Sequence, residues 1–197
     1  MAHGTYHAMQ VEFRRTGRRA YSVKIRRDAS VELEMNPAPG YDPEMPHDLL
    51  HLIVEIELGL RRGIFGQVAA GGSAGTFRER TPSSQGRRES ARNRRRAARR
   101  GENLRMEGRD EAAQSERATY LCLYEWFARS ADINRRRRAD EMSATVAHIR
   151  GTQPPSENRA LSEDVLRHIL ERLDELSSKW RALEVSEALV VEWPGQH

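Results

Sequence analysis

Between Val11 and Met35, apolar and polar residues alternate in three short runs: Val11/Phe13, Tyr21/Val23/Ile25 and Val31/Leu33/Met35. A period of two puts one set of side chains on a single face of an extended chain, so each run predicts a half-buried strand. Gly17-Arg18 and Asp28-Ala29-Ser30 supply the turns of an antiparallel meander. The alternation returns in Leu183/Val185 and Leu189/Val191/Trp193 across Ser186-Glu187, and Pro194 stops it. This predicts a second hairpin. Two strands alone are marginal in water, so the economical arrangement joins this hairpin to the meander in one antiparallel sheet.

Elsewhere the period is helical. From Ser162 to Lys179 the residues Leu166, Ile169, Leu170, Leu173 and Leu176 form a stripe; Ser162 fits the N-cap, and Glu163 and Asp164 suit the positive end of the helix dipole. A second helix is expected over about Glu111 to Arg129, burying Tyr120, Leu123, Tyr124 and Phe127. A third is expected over about Ala139 to Arg150, burying Met142, Val146 and Ile149, with Gly151-Thr152-Gln153-Pro154-Pro155 as the linker that follows. The fold class is therefore α+β, an antiparallel sheet with helices packed on one face.

One further helix carries candidate chemistry. After the proline-rich loop Asn36 to Met45, Pro46 fits a first helical position and Gly59 a C-terminal stop, which delimits His47-Asp48-Leu49-Leu50-His51-Leu52-Ile53-Val54-Glu55-Ile56-Glu57-Leu58. Advancing 100° per residue from His47 puts His51 at about 40°, Glu55 at about 80° and Asp48 at about 100°. These four share a narrow strip on a helix that is otherwise apolar nearly all round, so the strip is expected to face a pocket.

Two imidazoles at i and i+4 converge on one point, as in the helical zinc motif His-Glu-x-x-His, where the carboxylate serves as general base. Here His47 and His51 are the candidate ligands of a divalent metal such as zinc. Asp48 and Glu55 are the candidates for base or third ligand. Asp is one methylene shorter than the Glu of that motif, and Glu55 lies about 12 Å along the helix axis from His47, so one ion touching His47, His51 and Glu55 together is strained. His-Asp and His-Glu pairs at these spacings are also ordinary helix-surface contacts. Metal-free acid–base work by His47 or His51 is the third reading of the strip. Glycines at 63, 66, 71, 72 and 75 follow, matching neither a phosphate loop nor a dinucleotide fingerprint; Gly63 and Gly66 would let a short helix pack close to the histidine helix.

Charge divides the chain into two parts. Residues 78–109 hold twelve arginines and four glutamates, while the remainder of this net +4 chain is net negative. Few apolar residues lie in that stretch, which predicts a disordered basic insertion within a single domain made of residues 9–77 and 110–197, with residues 1–8 unstructured. If helical, the insertion would align Arg88, Arg92, Arg95, Arg96 and Arg99 along one side, a strip suited to the phosphates of RNA or to an acidic protein surface. No aromatic residues are interleaved for base stacking. The lone cysteine, Cys122, excludes an intramolecular disulfide and a cysteine zinc site. No stretch has the length and apolarity of a membrane span, so no membrane partner is expected and the cytoplasm is the natural compartment.

The segment Pro46-His47-Asp48-Leu49-Leu50-His51-Leu52-Ile53-Val54-Glu55, with Gly59-Leu60, Gly63-Ile64-Phe65-Gly66 and the Trp180-to-Pro194 ending, resembles a group of uncharacterised bacterial proteins of actinobacterial type. The resemblance implies that the histidine helix belongs to the common part of that fold, and it brings no activity with it. Three functions are thus in play: a binding or accessory protein using the polar strip, a metal-dependent hydrolase using His47 and His51, and a nucleic-acid binder using the arginines.

Overall fold

A computed structural model describes residues 8–27, 32–79, 95 and 99–195. The strands are β1 (Met9–Gly17), β2 (Ala20–Arg26), β3 (Glu32–Met35), the two-residue β4 (Arg78–Glu79) and β5 (Ala188–Trp193). They form one antiparallel sheet in the order β4-β3-β2-β1-β5. The register explains why alternation was a sound guide. Leu33, Ile25, Val11 and Val191 face one another across four strands, as do Met35, Val23, Phe13 and Leu189 in the next row. The other face pairs Glu12 with Lys24 and Lys24 with Glu34, opposite charges at cross-strand positions. Val31 and the Asp28-Ala29-Ser30 turn lie outside the described residues.

The C-terminal hairpin does not form. The last long helix, α7 (Glu163–Ala182), carries its buried stripe past Leu166, Ile169, Leu173 and Leu176 to Trp180, leaving five residues to reach β5. Leu183 caps that helix, and Val185 is exposed. Ser186 donates its N–H to the Arg15 carbonyl (2.8 Å) and Glu187 accepts from the Arg15 N–H (3.0 Å), which steers the chain alongside β1. Burial of Trp180 as the next turn of an apolar stripe outweighs the two-residue alternation at Leu183 and Val185.

The remaining helices are α1 (His47–Leu58), α2 (Ile64–Ala69), α3 (residues 99–107), α4 (Arg109–Ala128), α5 (Ile133–Thr152) and α6 (Pro155–Ala160). The central element is α1, which packs against α2, α4 and α7, and its residues Leu49 to Glu55 are buried without interruption. Gly59 ends it in the left-handed conformation at φ 65°, as expected of a C-terminal stop. The apolar faces of the sheet, α1, α2, α4 and α7 belong to one core, in which Tyr21 of β2 meets Trp180 of α7 edge-on at 6.0 Å.

Three helices differ from expectation. The third expected helix, α5, starts at Ile133, because the Asp132 carboxylate accepts the Asn134 N–H (2.7 Å) and caps it. Its buried residues are Ala139 and Val146, so it packs on the outside of α4. The expected linker, residues 151–155, shrinks to Gln153 and Pro154: Gly151 and Thr152 end α5, and Pro155, whose fixed φ suits a first helical turn, begins α6. Residues 99–107, expected to lack structure as the back of the basic insertion, are helical up to a turn at Gly108. No helix among the described residues is long and apolar enough to cross a membrane.

A candidate metal centre between two helices

The seam between α1 and α4 holds the polar strip, and the structure sends its four members to three different places. His51 is buried, and its ring is held on both sides. On one side Nδ1 lies 2.9 Å from Ser115 Oγ and 3.2 Å from Thr119 Oγ1, two hydroxyls one turn apart on α4. On the other side Nε2 lies 3.0 Å from His47 Nε2 and 3.4 Å from the Glu116 carboxylate. The two imidazoles meet edge to face, with centroids 4.6 Å apart. His47 and Glu116 stand on the solvent side of this cluster, so it is closed at the back by His51 and open at the front.

Glu55 turns away from the imidazoles. Its Oε1 accepts the Ile64 N–H (2.7 Å) and its Oε2 accepts the N–H groups of Phe65 (2.9 Å) and Gly66 (3.3 Å), capping the first turn of α2. Ser115 Oγ donates to Oε1 at 2.8 Å. The carboxyl is fully buried, which pushes its pKa up to about 7 against the pull of Ser115, His51 and the backbone donors. It therefore serves as a cap and an anchor, and the expected roles of third ligand or base do not fit its position.

Asp48 is held by the sheet. The Tyr21 hydroxyl lies 2.5 Å from both Asp48 Oδ2 and the Pro39 carbonyl. Burial raises the Asp48 carboxyl above its ordinary range, opposed by the Tyr21 contact and by the two histidines. With Oδ2 committed to Tyr21, this residue ties α1 to β2 instead of serving as a free base.

The third acid beside the histidines is Glu116, which sequence reasoning missed. It comes from α4, more than sixty residues away in the chain, and no spacing rule reaches that far. The ligand atoms of His47, His51 and Glu116 all lie within 4.8 Å of one another. Two ligands each about 2.0–2.1 Å from a tetrahedral zinc ion sit about 3.4 Å apart, close to the 3.0 and 3.4 Å that separate His51 Nε2 from His47 Nε2 and from the Glu116 carboxylate. The hydrogen bond from His51, made when its Nε2 carries a proton, lowers the Glu116 pKa further below neutrality, so this carboxylate is ionised. Burial and the neighbouring His51 lower the pKa of His47, which favours the neutral, ligating imidazole.

Comparison of the chain with protein-family models, with curated proteins and with solved structures finds no match. The site must therefore be read from its own chemistry. His47 also lines a groove of about 280 Å³ between the 40–45 loop, α1 and α4. Its walls are Met45, Leu50, Leu123, Trp126 and Phe127, and Arg138 stacks on the Phe127 ring at 4.2 Å while its guanidinium pairs with Asp42. Of the arginine strip, Arg88, Arg92 and Arg96 lie outside the described residues; Arg95 and Arg99 are helical and exposed.

Proposed function

We propose that the protein binds one divalent cation of the zinc class through His47 Nε2, His51 Nε2 and the Glu116 carboxylate, and works as a metal-dependent hydrolase. The observation that carries this reading is the convergence of two imidazole nitrogens and an ionised carboxylate on one point, open to solvent on one side. Three protein ligands are the number found in catalytic zinc sites, where structural sites use four. A cation held by these three residues would supply Lewis acidity and a nucleophile at neutral pH, so that no separate carboxylate base would be required. The roles left to the chain are then orientation and access. The α4 hydroxyls hold His51, Glu116 supplies negative charge, and the apolar groove beside His47 offers a seat for the part of a substrate next to the reacting bond.

Titration of metal-free protein with zinc, followed by elemental analysis, tests the site. One zinc per chain is expected, with His51→Ala and His47→Ala each weakening binding by at least 100-fold and Glu116→Gln by about 10–100-fold. Stoichiometric zinc retained by His51→Ala would place the ion elsewhere. Hydrolysis is tested with activated esters, amides and phosphodiesters on loaded protein. Zinc bound without turnover of any of the three rejects the hydrolase and leaves a binding centre.

A further inference from the structure

His51 is a buried ring whose two nitrogens meet opposite demands, and the hydrogen-bond chain behind it has one consistent direction. Above pH 7, where Glu55 is ionised, it has no proton to give. Its four neighbours, the N–H groups of Ile64, Phe65 and Gly66 and the Ser115 hydroxyl, all donate to it. Ser115 has a single hydroxyl proton, and it is committed to Glu55 Oε1 at 2.8 Å. What Ser115 Oγ turns toward His51 at 2.9 Å is therefore a lone pair. Nδ1 is then the donor in that contact, and the Thr119 hydroxyl at 3.2 Å, which can either donate or accept, is free to accept from it as well. With Nδ1 protonated, a neutral His51 carries its free lone pair on Nε2, the nitrogen that faces His47 and Glu116.

We propose that Glu55 and Ser115 are positioning residues that set the tautomer of neutral His51, holding its hydrogen on Nδ1 so that the Nε2 lone pair is the one turned toward His47 and Glu116. The tautomer is thus decided at the far end of the chain, by the α2 helix start that fixes Glu55. Its consequence for the cation rests on the metal reading above, while the tautomer itself does not. Metal-bound histidines commonly donate their second N–H to a carboxylate or a carbonyl. Here a serine is interposed, and it passes the preference of a buried carboxylate to the ring.

The test uses metal-free, full-length protein with nitrogen-15-labelled histidine, and reads the two ring nitrogens by NMR from pH 6 to 8.5. The expected result is that His51 Nδ1 keeps its proton at pH 8.5 while Nε2 does not. Ser115→Ala should shift His51 to a mixture of tautomers and weaken zinc about 10–100-fold. Thr119→Val, on the same helix face, should keep the Nδ1 proton. A wild-type ring protonated on Nε2 and bare on Nδ1 at pH 8.5 overturns the proposal, even if Ser115→Ala does not fold. So does a folded Ser115→Ala with the Nδ1 proton fully retained. Absence of zinc binding with the Nδ1 proton in place removes the metal reading alone. One bound zinc with the opposite tautomer in the metal-free protein removes this proposal alone.

Discussion

Gly63→Ala separates two physical effects that predict opposite signs. Gly63 sits at φ −63° and ψ −169°, a backbone conformation that alanine adopts readily. On backbone entropy alone the substitution should stabilise the fold by about 0.4–1 kcal/mol. The space is already taken. A Cβ at this position would lie 2.4 Å from Glu55 Cδ, 2.5 Å from Oε1 and 2.6 Å from Oε2. A carboxylate at the end of a free side chain would simply swing aside, but this one is fully buried and fixed by the donors at Ile64, Phe65, Gly66 and Ser115. Moving it far enough to clear a methyl group breaks at least two of those bonds. Hydrogen bonds to a charged group contribute about 1.5–3 kcal/mol each, so the net effect is a loss of about 3–5 kcal/mol. In urea unfolding at pH 8, where Glu55 is ionised, this lowers the midpoint by about 1–2 M for a slope of about 2–3 kcal/mol/M. Gly59→Ala is the comparison. Gly59 has φ 65° with nothing within 4 Å of the added atom, so only the left-handed backbone opposes it, by about 1–2 kcal/mol. A Gly63→Ala protein as stable as the wild type, or more so, would refute the assignment of Glu55 as a pinned cap.

Two further outcomes test the buried groups. Burial lifts the Glu55 carboxyl from 4.5 to about 7, so the folded state binds its proton more tightly than the unfolded chain does; the resulting stability is full below pH 4.5 and is lost as pH rises through 7. Glu55→Gln should remove up to about 3 kcal/mol of that pH dependence, and equal slopes for wild type and variant between pH 4.5 and 8 would contradict the burial argument. The Cys122 thiol is buried and pushed up to about 12, so iodoacetamide at pH 8 should label it only on unfolding. Native labelling at the rate of the denatured chain would show that the α4 core is open there.

Much of this fold was legible wherever a repeat of two or 3.6 positions stayed clean over one element. Val11/Phe13 and Tyr21/Val23/Ile25 alternate because one sheet face is covered, and α1 shows its limits in Pro46 and Gly59. The expected burial of Phe127 holds, whereas Tyr120, Leu123 and Tyr124 are half-buried, because the inner face of α4 runs through Ser115, Ala118, Thr119, Cys122 and Trp126. That face carries the missed part of the site. Two hydroxyl residues at i and i+4 within a buried stripe each require a partner, and the polar strip of α1, on an otherwise apolar helix, offers one. That pairing was available in principle; Glu116, exposed and one residue from the stripe, gave no signal of its own. The strip itself was read correctly as one face of one helix. What no helical wheel contains is the identity of the neighbours, and these send Asp48 to Tyr21, Glu55 to α2 and only the histidines to each other.

The division of labour along α1 also bears on why two histidines stand there at all. Asp48 and Glu55 are each held by partners away from the imidazoles, Tyr21 for one and the start of α2 for the other, and substitution at either is a question of stability. His51 differs because one of its nitrogens faces a second imidazole and an acceptor-only carboxylate. A purely structural buried histidine needs an acceptor for its N–H and a donor for its bare nitrogen. The acceptor is provided by Ser115 and Thr119. Facing Nε2, among the described residues, stand another imidazole, whose own Nε2–H can donate to it, and a carboxylate that only accepts. His51 is thus satisfied as a core residue. In the metal reading proposed above, a cation would take the place of the proton shared by the two imidazoles, and the acceptor-only Glu116 carboxylate beside them is what would favour that replacement.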